Sequence, residues 1–436
     1  MKILRFSPIL FLFAFAIIAL SCFPAFAEDS VTKFVRVPIF FLTDRNLVGD
    51  QKSSNFDFGP HRKYLGDCMH DPFLGTASVV IENVDHKPVT EALKSIGWQA
   101  VATDQKEGLI ADAMFTGQTH EEIADKFYNT VKEQCELTPD KNVFVFVHGY
   151  KNSFHSAAHT AAWLAYNSER PTILYSWPSV AKLRSYSSDE NNVEWSQEHF
   201  NDMIESLAKI CTEDSEIKLR LMAHSMGSRL LVRAIPILHG RQFVTEFALI
   251  CPDVDSGLVK HYARRYFNPK GTAKVRLYMS RRDKALALSQ FMHGGYTRLG
   301  ECADSLSGIL NQVMKNKPAE TAADEKREAA EDDAAFKQNM KLAQHRLQTI
   351  DFTAIDRGFI GHNVPAKLIC NMSFTEKPGE NLDLVLEESG QRSKLSNTFA
   401  KITHLKDTAP SITESCLRVV KLKQQKDAPV VAKESH

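Results

Sequence analysis

Apolar and polar positions along this chain switch between two periods. Phe34 to Leu42 and Ala77 to Glu82 are rich in β-branched and aromatic residues and predict strands, whereas His120 to Glu136 sets Ile123, Phe127 and Val131 at helical spacing. Asn142 to Val147 is apolar almost without interruption, as expected of a central strand covered on both faces. Ala157 to Tyr166 predicts a helix, Thr172 to Ser176 a strand, and Val193 to Ile210 one long helix. Ile217 to Met222 predicts a strand and Ser228 to Leu238 a helix, with only Ala223 to Gly227 between them. Phe243 to Cys251, Lys274 to Ser280 and Thr349 to Ile355 supply the remaining strands, the last of them closing the sheet. Strands alternating with helices predict an α/β fold, a mostly parallel central sheet flanked by helices.

Two regions break this rhythm. Residues 315–346, just before the last expected strand, are rich in Ala, Glu, Asp and Lys and poor in large apolar residues, so they read as a charged insertion. That composition favours a surface excursion over a lid. From Glu376 onward polar residues dominate, and residues 376–436 are expected to form an extension ending in a loose tail. The N-terminus carries Lys2 and Arg5, an apolar run from Ile9 to Leu20, and Ala25-Phe26-Ala27 ahead of Glu28. This is the layout of a signal peptide over residues 1–27, which predicts export to a periplasmic or extracellular location. A lipid anchor at Cys22 is the competing reading, disfavoured because Leu20 sits one place from the usual position. The apolar run falls short of the ~20 residues a membrane span needs. The main domain is thus expected over residues 28–375, with no transmembrane span in the mature chain and no internal repeat.

The 436 residues, 43% of them hydrophobic, suffice for a large core. Fifty-three basic residues offset 53 acidic ones, so no global field draws the chain to nucleic acid. The seven cysteines beyond Cys22 are scattered without CxxC spacing, which indicates neither a zinc site nor a dense disulfide framework. Cys211 and Cys251 lie in apolar stretches and read as core residues.

The chemistry concentrates at Ala223-His224-Ser225-Met226-Gly227. A serine on a sharp strand-to-helix bend, flanked by small residues, is presented as a nucleophile; the plainer reading is a helix N-cap. A serine hydroxyl needs a base, and the base needs a carboxylate to set its tautomer. In such a fold the chain order is nucleophile, acid, base. His362, in the loop after the last expected strand, is the preferred base, with His293 as its rival. Asp283, after the strand Lys274 to Ser280, is the preferred acid, with Asp253 and Asp255 as the alternatives. The backbone N–H groups of Met226 and Tyr150 are the expected oxyanion donors, and His148 is expected to be structural.

Six stretches together resemble the α/β-hydrolase superfamily, in particular a bacterial esterase/lipase-like branch of poorly characterised function. They are residues 37–46 (VPIFFLTDRN), His148-Gly149-Tyr150, residues 176–179 (SWPS), residues 223–227 (AHSMG), residues 280–286 (SRRDKAL) and Gly361-His362. The resemblance implies a Ser/Asp/His triad on Ser225, Asp283 and His362, acting on a small-molecule or lipid ester without metal or organic cofactor. Ala223 departs from the glycine that commonly opens the motif. A non-catalytic binding or scaffold protein of the cell envelope is the alternative. The sequence identifies neither the acyl chain nor any protein partner.

Overall fold

The computed structural model describes residues 33–49, 57–63, 71–101, 108–182, 184–212, 216–266, 273–301, 346–353, 362, 369, 384–389 and 416–421. The expected signal peptide and nearly all of the charged insertion lie outside these residues.

The strands are β1 (Phe34–Thr43), β2 (Arg45–Val48), β3 (Asp57–Arg62), β4 (Phe73–Glu82), β5 (Gln99–Val101), β6 (Gly108–Met114), β7 (Asn142–Val147), β8 (Thr172–Ser176), β9 (Lys218–His224), β10 (Val244–Ile250), β11 (Lys274–Met279), β12 (Leu347–Asp351), β13 (Leu384–Ser389) and β14 (Cys416–Lys421). One sheet runs in the order β14-β13-β12-β11-β10-β9-β7-β8-β1-β4-β6, with β5 also on β1 and a separate hairpin made by β2 and β3. From β13 to β1 every neighbouring pair is parallel, and antiparallel pairing is confined to the two edges.

β7 explains the layering. Every residue in it is buried, and alternate side chains serve opposite cores. Val143, Val145 and Val147 pack with Phe127 and Val131 of the helix His120–Glu136 and with Phe200, Ile204 and Leu207 of the helix Gln197–Thr212. Phe144 and Phe146 face Phe154, Ala158, Ala161 and Ala165 of the helix Phe154–Ser168. The alanines let that helix approach the sheet closely, and the phenylalanines fill the remaining space.

A row of polar side chains crosses the sheet within this apolar interior. Asn142 accepts from Arg220 Nε at 3.0 Å, Arg220 pairs with Glu246 at 2.8 Å, Glu246 pairs with Arg276, and Arg276 Nε donates to Gln348 at 2.8 Å. These residues come from β7, β9, β10, β11 and β12 in spatial order. A one-residue slip of any strand would strand a buried charge, so the row fixes register.

Several expectations need adjusting. The single helix expected over Val193 to Ile210 is two, Tyr186–Trp195 and Gln197–Thr212. Buried Ser196 separates them, and its carbonyl accepts from the Tyr175 hydroxyl at 2.9 Å. The helix after Ser225 stops at Arg233 and restarts as Ile235–Leu238, because Pro236 brings no N–H. The sheet does not end at β12, since β13 and β14 extend it from the region expected to be an appended segment.

Candidate active site

The parallel strands bring their C-terminal ends to one edge of the sheet, and the expected residues gather there. β9 runs through Ala223 and His224 into Ser225, followed by the short turn Ser225–Gly227 and the helix Ser228–Arg233. Ser225 has φ +51° and is 5% exposed. A serine in the left-handed region is strained, and only a tightly packed bend holds it there.

That packing is supplied by two glycines. A Cβ on Gly149 would lie 2.7 Å from Ser225 Cβ and 2.8 Å from His224 Nδ1. A Cβ on Gly227 would land on the His148 carbonyl oxygen. The loop His148-Gly149-Tyr150 therefore presses its backbone against the bend at Ser225. Ala223 is fully buried and its methyl is absorbed into the core.

Asp283 follows β11 and opens the helix Lys284–Met292, where Oδ1 accepts the Leu286 N–H at 3.0 Å. Its other oxygen, Oδ2, accepts from His362 Nδ1 at 2.6 Å, in a carboxylate with no exposed surface. The proton is thus held on Nδ1 and the lone pair left on Nε2. His362 is also tied to the residue preceding Ser225: His224 Nε2–H donates to the His362 carbonyl at 2.9 Å, and the two rings lie 4.9 Å apart. Among the described residues no hydrogen bond joins Ser225 Oγ to His362.

The rival residues have other partners. Asp253 lies against Ser289 at 2.6 Å, Arg298 at 3.1 Å, Arg229 at 3.5 Å and the Tyr186 hydroxyl. Burial alone would raise its pKa, but Arg229, Ser289, Tyr186 and Arg298 together hold it below the usual carboxylate range. Asp255 accepts the Gly257 N–H at 2.6 Å at the start of the helix Ser256–Tyr266. His293 is engaged by Glu190 at 2.6 Å and by its own helix, donating from Nδ1 to the Ser289 carbonyl at 2.7 Å.

Arg45 is a functional support whose role sequence reasoning missed. It is buried, and it donates to Ser176 Oγ at 2.8 Å, to the Ser179 carbonyl at 2.9 Å and to the Asn152 carbonyl at 2.8 Å. Burial lowers its pKa to about 9. Arg45 Nη2 also lies 3.3 Å from His148 Nε2, and because guanidinium only donates, Nε2 accepts and the imidazole proton sits on Nδ1. Nδ1–H donates to the Gly149 carbonyl at 2.9 Å. Burial first, and Arg45 second, drive the His148 pKa down to about 3, so the ring is neutral. It stacks on Trp177, whose Nε1–H holds the His148 carbonyl at 2.8 Å. His148 is structural, as expected: it fixes the loop that carries the Tyr150 amide.

Cys251, at the end of β10, is also at this edge. It is fully buried with φ +44°, and its Sγ and one ring nitrogen from each of His224 and His362 lie within 4.8 Å of one another. The apolar run around Cys251 signalled only a core position.

The family model described as "Alpha/beta hydrolase of unknown function (DUF900)" matches residues 123–333. A search of curated proteins finds no match. The matched stretch holds β7 to β11, the strained bend at Ser225, the loop His148–Tyr150 and Asp283, and stops short of His362. The mostly parallel sheet, its flanking helices and this order of elements are those of the α/β-hydrolase fold.

Proposed function

We propose that the protein is a serine hydrolase that cleaves a carboxylic ester through an acyl-enzyme on Ser225. The observation that carries this reading is the strained Ser225 bend beside a histidine whose Nδ1 is held by Asp283 at 2.6 Å. His362 Nε2 takes the Ser225 proton as the hydroxyl attacks the carbonyl carbon, then returns it to the leaving alcohol. Water repeats the sequence to release the acid. Asp283 sets the tautomer and stabilises the imidazolium. The Met226 and Tyr150 amides receive the oxyanion, and the helix starting at Ser228 adds its positive end. The Ser225–His362 hydrogen bond forms in the bound complex. Export through a cleaved segment 1–27 is part of the proposal, as is a small-molecule or lipid ester as substrate.

A fluorophosphonate probe tests it. Folded protein should label at Ser225, and Ser225→Ala should remove both the label and turnover of chromogenic esters, which differ in chain length to define the acyl pocket. Absence of label on folded wild-type protein would favour the non-catalytic envelope scaffold.

A further inference from the structure

We infer that His224, Cys251 and His362 form a site for a borderline-soft divalent cation of the Zn2+ class, and that its occupation shuts the hydrolase off. The three ligand atoms lie within 4.8 Å of one another, and a tetrahedral zinc site asks for about 3.3–3.6 Å between ligands. Side-chain rotation of about 1 Å closes the difference. Two imidazoles and a thiolate are a donor set that favours zinc over magnesium or calcium.

Two further observations support the site. Asp283 already holds His362 Nδ1 at 2.6 Å, which is the carboxylate–histidine arrangement that orients a zinc-binding imidazole and raises its basicity. Cys251 is kept at φ +44°, a strained conformation for a side-chain-bearing residue, and strain of this kind gathers at ligand clamps and active sites. Its thiol is not part of a disulfide.

The consequence rests on the proposed role of His362. With Nδ1 taken by Asp283, the histidine has one lone pair, on Nε2. A cation on that lone pair removes the base that Ser225 requires. On binding, the Cys251 thiol gives its proton to solvent and forms the sulfur–metal bond; no oxidant or reductant is needed.

The test uses purified full-length protein stripped of metal. Co2+ alone should give a sulfur-to-metal charge-transfer band at one ion per chain, displaced by Zn2+ and absent in Cys251→Ser and in Cys251→Ala, the second variant covering any misfolding of the first. Saturating Zn2+ should slow fluorophosphonate labelling of Ser225 in the wild type by about a hundredfold, the scale of general-base assistance. In either Cys251 variant the ratio of rates with and without Zn2+ should return to near unity. A missing band, a band that persists in both Cys251 variants, or equal Zn2+ slowing in all three proteins would overturn the site. If Ser225 never labels while the Cys251-dependent band is present, the hydrolase reading fails and the metal site stands.

Discussion

Gly227 shows how little freedom the bend at Ser225 has. Its missing side chain is what lets the His148 carbonyl touch the turn, and a methyl there meets backbone on a loop already fixed by Trp177 and Arg45. Gly227→Ala is expected to lower stability by about 1–3 kcal/mol, the usual cost of overpacking, and to slow Ser225 labelling more than it lowers the melting temperature would suggest. Thermal denaturation alongside probe kinetics separates the two; equal labelling rates would mean the loop yields freely. The small residue two places after the serine was legible in the sequence because its physical demand is local. The sharp bend at Ser225 was legible for the same reason. Cys251 was not, since its neighbours His224 and His362 come from distant parts of the chain and its own surroundings are apolar.

Arg45 acts between elements. It opens β2, contacts Ser176 at the end of β8, and reaches the loop after β7 through His148 and Asn152, partners that lie 131, 103 and 107 residues away. Such separations explain why residues 37–46 and 176–179 could be noticed as family-like stretches while their shared purpose stayed hidden. Arg45→Met would leave His148, Ser176 and three carbonyls without their donor. Stability should fall by about 1–3 kcal/mol in urea titrations, the cost of leaving buried acceptors without their donor. Labelling of Ser225 should slow as the Tyr150 loop loosens, and a variant with unchanged labelling would separate Arg45 from the site. Strands buried at every position, such as β7 and β8, were read from sequence residue for residue, whereas β2, β3, β5 and β6 were missed because they are short or polar and pair only through tertiary context.

For the molecule as a whole, the neutral imidazole of His148 links folding to acidity. Its pKa is about 3 in the native state and near ~6.5 when the chain is unfolded, so below ~6.5 the unfolded chain binds a proton that the folded one refuses. Stability is therefore complete above that value and declines as pH falls towards 3. This one group should remove about 2 kcal/mol between pH 7 and pH 5. Urea midpoints at the two pH values measure it, and His148→Asn should flatten the dependence; an unchanged slope in that variant would place the effect elsewhere. That Asp283 and His362 meet was legible in the sequence because parallel strands bring every C-terminal end to one edge. The two strands past β12 were not legible, since residues 376–436 carry too few apolar positions to announce a sheet.

The polar row from Asn142 to Gln348 bears on how this domain can be dissected. Its members enter the chain across some two hundred positions, and the innermost of them, Glu246, is shielded from water with a guanidinium on each side. A fragment cut between β11 and β12 keeps Arg276 but discards the amide that answers it. Shorter versions made for crystallography or spectroscopy must accordingly preserve everything from the first strand of the row through the fifth.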